Sequence, residues 1–122
     1  MSTKELQQLN QDTFDAEEQK AIGGETWAAF LGRVLADDFR IRRSDPTIAL
    51  QDRAGMIAWI QNHAVVPKQL ADVKVFEDGN YGVVTCVVTL QGQPGQFHNL
   101  KVFHRESPSG DWRCSYWQVS KV

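Results

Sequence analysis

Between residues 26 and 36, Trp27, Phe30, Leu31, Val34 and Leu35 recur three and four positions apart, the spacing of one buried helix face. Before them, residues 4–21 contain neither Pro nor Gly and are rich in Glu, Gln, Lys and Leu, which predicts an earlier helix. Its apolar face (Leu6, Leu9, Phe14, Ala21, Ile22) is thin, and Gly23-Gly24 is placed to close it in the left-handed conformation open to glycine. The period then changes to two: Phe39 and Ile41 alternate with Arg40 and Arg42, a short half-buried strand. Residues 44–52 form a loop opened by Asp45-Pro46. Asp52 is an N-cap for a third helix running to about His63, with Met56, Ile57, Trp59 and Ile60 on its apolar side.

The rest of the chain reads as strands. Residues 73–77 lead into a hairpin turn at Asp78-Gly79-Asn80, followed by a long strand over 81–90. A turn at 92–95, a strand over 97–105, a turn at 107–110 and a last strand over 112–119 complete the pattern. Helices early and strands late predict an α+β fold with an antiparallel sheet. The long strand is apolar on both faces, with Val83 and Val87 on one and Val84, Cys86, Val88 and Leu90 on the other. One face can pack on the helices. The other needs a cover, because an exposed antiparallel face normally carries polar residues. No helix remains to supply it, so the expected cover is a second copy of the chain, giving a homodimer through the outer sheet face.

The 122 residues suit a single domain spanning 1–122, and 42% apolar residues suffice for a core. A net charge of −2 argues against nucleic acid as a partner. The nearest basic cluster is Arg40, Arg42 and Arg43, of which Arg40 and Arg42 fit a solvated strand face that discourages edge pairing. Neither a signal-like apolar segment nor a stretch of ~20 apolar residues occurs, so the expectation is a cytoplasmic chain without a membrane partner. Cys86 and Cys114 lie within apolar strand patterns and form no Cys-x-x-Cys, which suggests buried free thiols.

The order and spacing of the segment from Trp27 to Phe39, the Asp45-Pro46 loop, the Asp78-Gly79-Asn80 hairpin and the ending Gly110-Asp111-Trp112 through Tyr116-Trp117-Gln118 resemble the nuclear transport factor 2-like superfamily, in its SnoaL-like and ketosteroid isomerase-like branch. The resemblance covers nearly the whole chain. It implies a cystatin-like cone, a curved mixed or antiparallel sheet wrapped around three N-terminal helices. It also implies a deep pocket and commonly a dimer. Members include cofactor-free isomerases, cyclases and dehydratases, and many proteins without assigned activity. Carried over by position, the isomerase base at the end of the first strand falls on Arg43 when counted from Asp37-Asp38, and on Asp45 when matched on Asp-Pro. The second acid falls near Phe97 or His98. The family's first-helix tyrosine has no counterpart, since the tyrosines are Tyr81 and Tyr116, and no Asp lies between Gly79 and Gly110.

The candidate chemistry follows. His98 is the proton-transfer candidate, as an imidazole titrates near neutrality. It shares strand parity with Leu100, Val102 and His104, while Phe97, Asn99, Lys101 and Phe103 share the other. His98 and His104 stand roughly 20 Å apart along a strand, and His63 has no carboxylate at ligand spacing, so no metal and no cofactor is expected. Arg43 shares a strand face with Phe39 and Ile41. It either aims into the pocket, pairing with Asp45 or an anionic ligand, or ends the strand toward water. Asn99 and Gln118 can orient a ligand or satisfy backbone groups. Trp27, Trp59 and Trp117 serve a core first and a cavity wall second. Glu17 and Glu18 read as a solvated helix face. Two functional readings stay open: cofactor-free acid/base chemistry on a small organic molecule, or a non-catalytic ligand-binding or self-association module.

Overall fold

The computed structural model describes residues 2–122. Helix α1 (Ser2–Glu17) is followed by α2 (Trp27–Val34), strand β1 (Leu35–Arg42), α3 (Arg53–Asn62) and four strands, β2 (Lys68–Asp78), β3 (Tyr81–Leu90), β4 (Phe97–His104) and β5 (Arg113–Lys121). The fold is α+β, with three helices against one five-stranded sheet, as expected.

Helix α1 ends at Glu17 rather than near Ala21. Gln19 takes a left-handed φ of 59°, and Ile22 then pairs with Glu25 across Gly23-Gly24. The two glycines, at φ 55° and 83°, close that tight turn and not the helix. In α2, Thr26 Oγ1 accepts a hydrogen bond from Ala29 N, and Phe30, Leu31 and Val34 are buried. Leu35 is already extended, at φ −77° and ψ 129°, so β1 starts without a loop and takes in Asp37 and Asp38. Asp52 caps α3 as the sequence predicted, its side chain accepting from Gly55 N.

The strand order is β1-β5-β4-β3-β2. Consecutive strands β2 to β5 pair antiparallel, but β1 pairs parallel with β5, with Arg40 opposite Tyr116 and Ile41 opposite Trp117. The sheet is therefore mixed and not purely antiparallel, because β1 joins it across a long crossover that carries α3. Strand β2 starts at Lys68, five residues before the predicted start. A register shift between Ala71 and Lys74, with Asp72 at φ 52°, breaks the alternation there.

Inward positions of the sheet close on the helices. Val84, Cys86 and Val88 of β3, Phe103 of β4, and Cys114 and Trp117 of β5 join Leu6, Phe14, Phe30, Phe39 and Met56 in one core. Gly82 lets α1 approach the sheet: a Cβ there would sit 2.5 Å from Leu6 Cδ1, and Leu6 is fully buried. On the outer face Val83, Val87, Leu100 and Val102 are only half-buried, and Phe76 and Tyr81 are each 59% exposed. Among the described residues no helix is long and apolar enough to cross a membrane.

Candidate functional site

At one end of the sheet a cavity of about 260 Å³ opens between the C-terminal turn of α1, the loop after β1, α3 and the inner face of the strands. Its walls are mainly apolar: Phe14 of α1, Ile48 of the loop, Trp59 of α3, Val88 and Leu90 of β3, and Val119 of β5. Its charged groups are Glu17, Arg43, Lys68 and Asp45, and Asn99 is its buried polar group.

Arg43 follows the last residue of β1, in phase with the buried Phe39 and Ile41, and its side chain is 13% exposed. Nη1 lies 3.5 Å from Glu17 Oε2, Nε donates to Gln51 Oε1 at 3.1 Å, and the guanidinium stands 4.8 Å from the ring centre of Trp59. The Ile41–Gln51 backbone bridge holds Gln51 in reach. Nη2 is buried and has no hydrogen-bond partner. Burial lowers the Arg43 pKa and the Glu17 carboxylate works against that shift. Glu17 also lies 3.9 Å from Lys68 Nζ, and both side chains are nearly buried. His63, outside the lining, stacks on Trp59 at 3.6 Å between ring centres.

Deeper in, Trp117 Nε1 donates to Asn99 Oδ1 at 2.8 Å, and the Trp117 ring meets Phe14 edge-on at 5.3 Å. Lys101 lies two residues from Asn99 on the same strand face and is wholly buried. Its Nζ donates to Asn10 Oδ1 at 2.8 Å and to Asn10 O at 3.4 Å. It stands over the rings of Phe14, at 3.4 Å, and Trp117, at 3.9 Å. Burial lowers the Lys101 pKa to about 7. The nearby thiols supply no compensating charge at neutral pH. Burial pushes Cys114 up to about 12 and raises Cys86, so both stay protonated.

Four of the residues singled out from the sequence, Arg43, Asp45, Trp59 and Asn99, come together at this cavity. The others do not. His98 is exposed on the outer face, because Asn99 and Lys101 take the inward phase of β4, so it cannot pass a proton to a ligand in the cavity. Gln118 is also exposed, and its Oε1 accepts from Tyr116 OH at 2.7 Å. Trp27 packs half-buried against the core from α2, and Trp117 sits behind Asn99 and not on the wall. Asp45 stands at the mouth, where hydrogen bonds from Thr47 hold its carboxyl below the usual range and leave it a weak base. Arg43 pairs with Glu17 instead of Asp45.

Sequence reasoning missed Glu17, Lys68 and Lys101. Glu17 reads as solvated beside Glu18, yet it falls three residues after Phe14 and seven after Asn10, on the buried side of α1. Among the described residues no group of three or more His, Cys, Asp or Glu could hold a metal ion.

No protein-family model matches the chain, and no curated protein matches it. Solved structures do. The S. rosetta CaMKII hub superposes with a TM-score of 0.77 at 13% identity, covering 98% of this chain and 96% of that one. A nuclear transport factor 2-like (NTF2-like) protein of unknown function from Pseudomonas putida gives 0.75 at 15% identity, over 98% of this chain and 85% of that one. A proposed dehydratase of the NTF2-like family from Streptomyces avermitilis gives 0.69 at 19% identity, over 99% and 96%. At these identities the likeness establishes the NTF2-like fold.

Proposed function

We propose that this protein binds a small organic acid in the cavity, with the carboxylate on Arg43 and the carbon body on the wall formed by Phe14, Trp59 and Val88. The observation that carries the reading is the Arg43 guanidinium. It is nearly buried, held on one side by Gln51 and Glu17, and its Nη2 is left without a partner. A buried donor with no acceptor is costly, and a carboxylate matches the guanidinium fork. With Asp45 exposed to water at the mouth, the nearly buried charges are Arg43 and Lys68 against Glu17 alone, which also favours an anion.

At ~30 Å³ per water the cavity holds roughly nine waters' worth of volume. That is just under the ~300 Å³ at which pockets for drug-sized ligands begin. A one-ring or two-ring acid fits this size better than a steroid. Asn99 spends its Oδ1 on Trp117, so its Nδ2 is the atom left to donate to a second oxygen of the ligand.

Binding without turnover is the better supported form of this reading. His98 faces away from the cavity, Asp45 is exposed at the mouth, and the buried carboxylate Glu17 is engaged by two cations. An isomerase, cyclase or dehydratase of the SnoaL-like or ketosteroid isomerase-like kind would need a free proton acceptor at the wall. The outer sheet face, with Phe76 and Tyr81 exposed beside Val83, Val87, Leu100 and Val102, supports a homodimer across that face.

The test is calorimetric titration with phenylacetate, and with phenylacetamide as its neutral analogue, against wild type and Arg43→Ala. The reading requires that wild type take up the acid in preference to the amide and that Arg43→Ala lose that preference. Equal binding of the two by wild type would sink it.

A further inference from the structure

Among the described residues Lys101 is the one buried lysine or arginine in the core, and its Nζ packs between two aromatic rings. Its surroundings leave the amine and the ammonium close in free energy. Burial disfavours the cation, while two acceptors on Asn10 and two ring faces favour it. With Cys86 on β3 and Cys114 on β5 uncharged, the charges that face Lys101 are Glu17 from α1 and Lys68 from β2. Glu17 favours the ammonium and Lys68 opposes it. Both belong to the cavity. The cavity's charge therefore already acts on Lys101, and Phe14 touches both, with one side on the cavity and its ring 3.4 Å from Nζ.

Resting on the proposed organic-acid site, we infer that an acid entering the cavity draws a proton onto Nζ of Lys101. The carboxylate adds a negative charge beside Glu17 and acts on Lys101 with the same sign. For a chain that starts as the amine, the balance is one organic anion and one solvent proton bound, with Lys101 passing to ammonium and no other bond formed or broken; averaged over all chains, a one-unit rise in midpoint gives at most about half a proton per ligand. In the ammonium form the core gains a positive charge just as the cavity gains a negative one, so each stabilises the other by reciprocal linkage. Binding is then tightest where Lys101 is already protonated. It weakens as pH rises through the midpoint of the free protein and levels off above the midpoint of the complex.

The experiment is a side-chain NMR titration of the whole chain from pH 5.5 to 9, following 13Cε of Lys101 with and without saturating phenylacetate. The expected result is a Lys101 midpoint near neutrality that rises by about one pH unit on binding. A one-unit rise corresponds to affinity about tenfold weaker on the alkaline side. Calorimetry near pH 7.5 in phosphate and in Tris should report net proton uptake in wild type. Lys101→Met, which keeps the apolar stem, should bind phenylacetate with neither the uptake nor the pH dependence. If phenylacetate shifts the resonances of Arg43 Nε and Trp59 Nε1 but leaves the Lys101 midpoint unmoved, the linkage is wrong and the site stands. If no cavity resonance moves with any acid tested, the site itself is wrong and the inference goes with it.

Discussion

The indole of Trp117 decides how Asn99 presents its amide: Nε1 donates to Oδ1 at 2.8 Å, in the buried layer just behind the cavity. Trp117→Phe keeps an aromatic ring beside Phe14 and Lys101 but leaves Asn99 Oδ1 without its donor. The expected cost is about 1–3 kcal/mol, read as a lower urea midpoint with an unchanged slope. Asn99→Leu in the Trp117→Phe background should recover part of that loss, because both partners are then apolar.

Glu17 competes with any anion for Arg43 and Lys68. Glu17→Gln keeps the side-chain shape and removes the competing charge. Phenylacetate should therefore bind more tightly, by roughly five- to tenfold on the scale of a partly buried charge pair. Arg43→Ala should weaken it by roughly 10- to 100-fold, the range of a lost charge-assisted hydrogen bond. Isothermal calorimetry on both variants checks the two directions against each other.

Stability should depend on pH through Lys101. Burial lowers its folded-state pKa to about 7 from the ordinary 10.5, so between those values the unfolded chain holds the proton that the folded chain has released. Stability then rises with pH across that window and is flat, from this group, below it. From pH 7 to 8.5 the gain should approach about 2 kcal/mol at ~1.4 kcal/mol per unit. Above pH 9 the rise should flatten, because thiols ionise in the unfolded chain while Cys114 stays protonated to about 12 in the fold, and its slope offsets that of Lys101. Urea midpoints of wild type and Lys101→Met at pH 6.5, 7.5 and 8.5 test the sign, and the variant should lose the slope.

Val102 and Phe76 lie on the outer sheet face, the first half-buried and the second 59% exposed. Val102→Glu should shift the chain toward monomer at tens of micromolar, with little change in circular dichroism, if a second copy covers that face. Wild type that light scattering finds monomeric at the same concentration would remove the homodimer.

The fold was legible where one rule dominated. Trp27 to Leu35 has a clean helical period, Asp52 is a cap with the right spacing, and Asp78-Gly79-Asn80 leaves little choice but a hairpin. It was illegible where tertiary contacts overrode local signals. Nothing near Asp37 and Asp38 says that β1 has begun, because its pairing with β5 lies almost eighty residues away, Leu35 opposite Cys114. Strand parity sorted β4 into two sets but could not say which was inside. A lysine on the inner face and a histidine on the outer one invert the usual expectation, since a fully buried lysine is rare. The phase of Arg43 with Phe39 and Ile41 pointed to the cavity but left an end toward water equally open to it. Its partner Glu17 sits on another element and could not be placed.

Apart from the single Ile41–Gln51 bridge, strand β1 pairs only with β5, the last of the five strands described. Arg43 extends from the end of β1, so the position of the guanidinium waits on residues made more than seventy positions later. Helices and hairpins can form locally, but the binding wall is finished only by a closure across more than seventy residues, the kind of contact that forms slowly. A chain stalled before β5 would hold most of its secondary structure and still lack a site. Ligand competence would therefore report on completed folding, which a helix or hairpin signal cannot do.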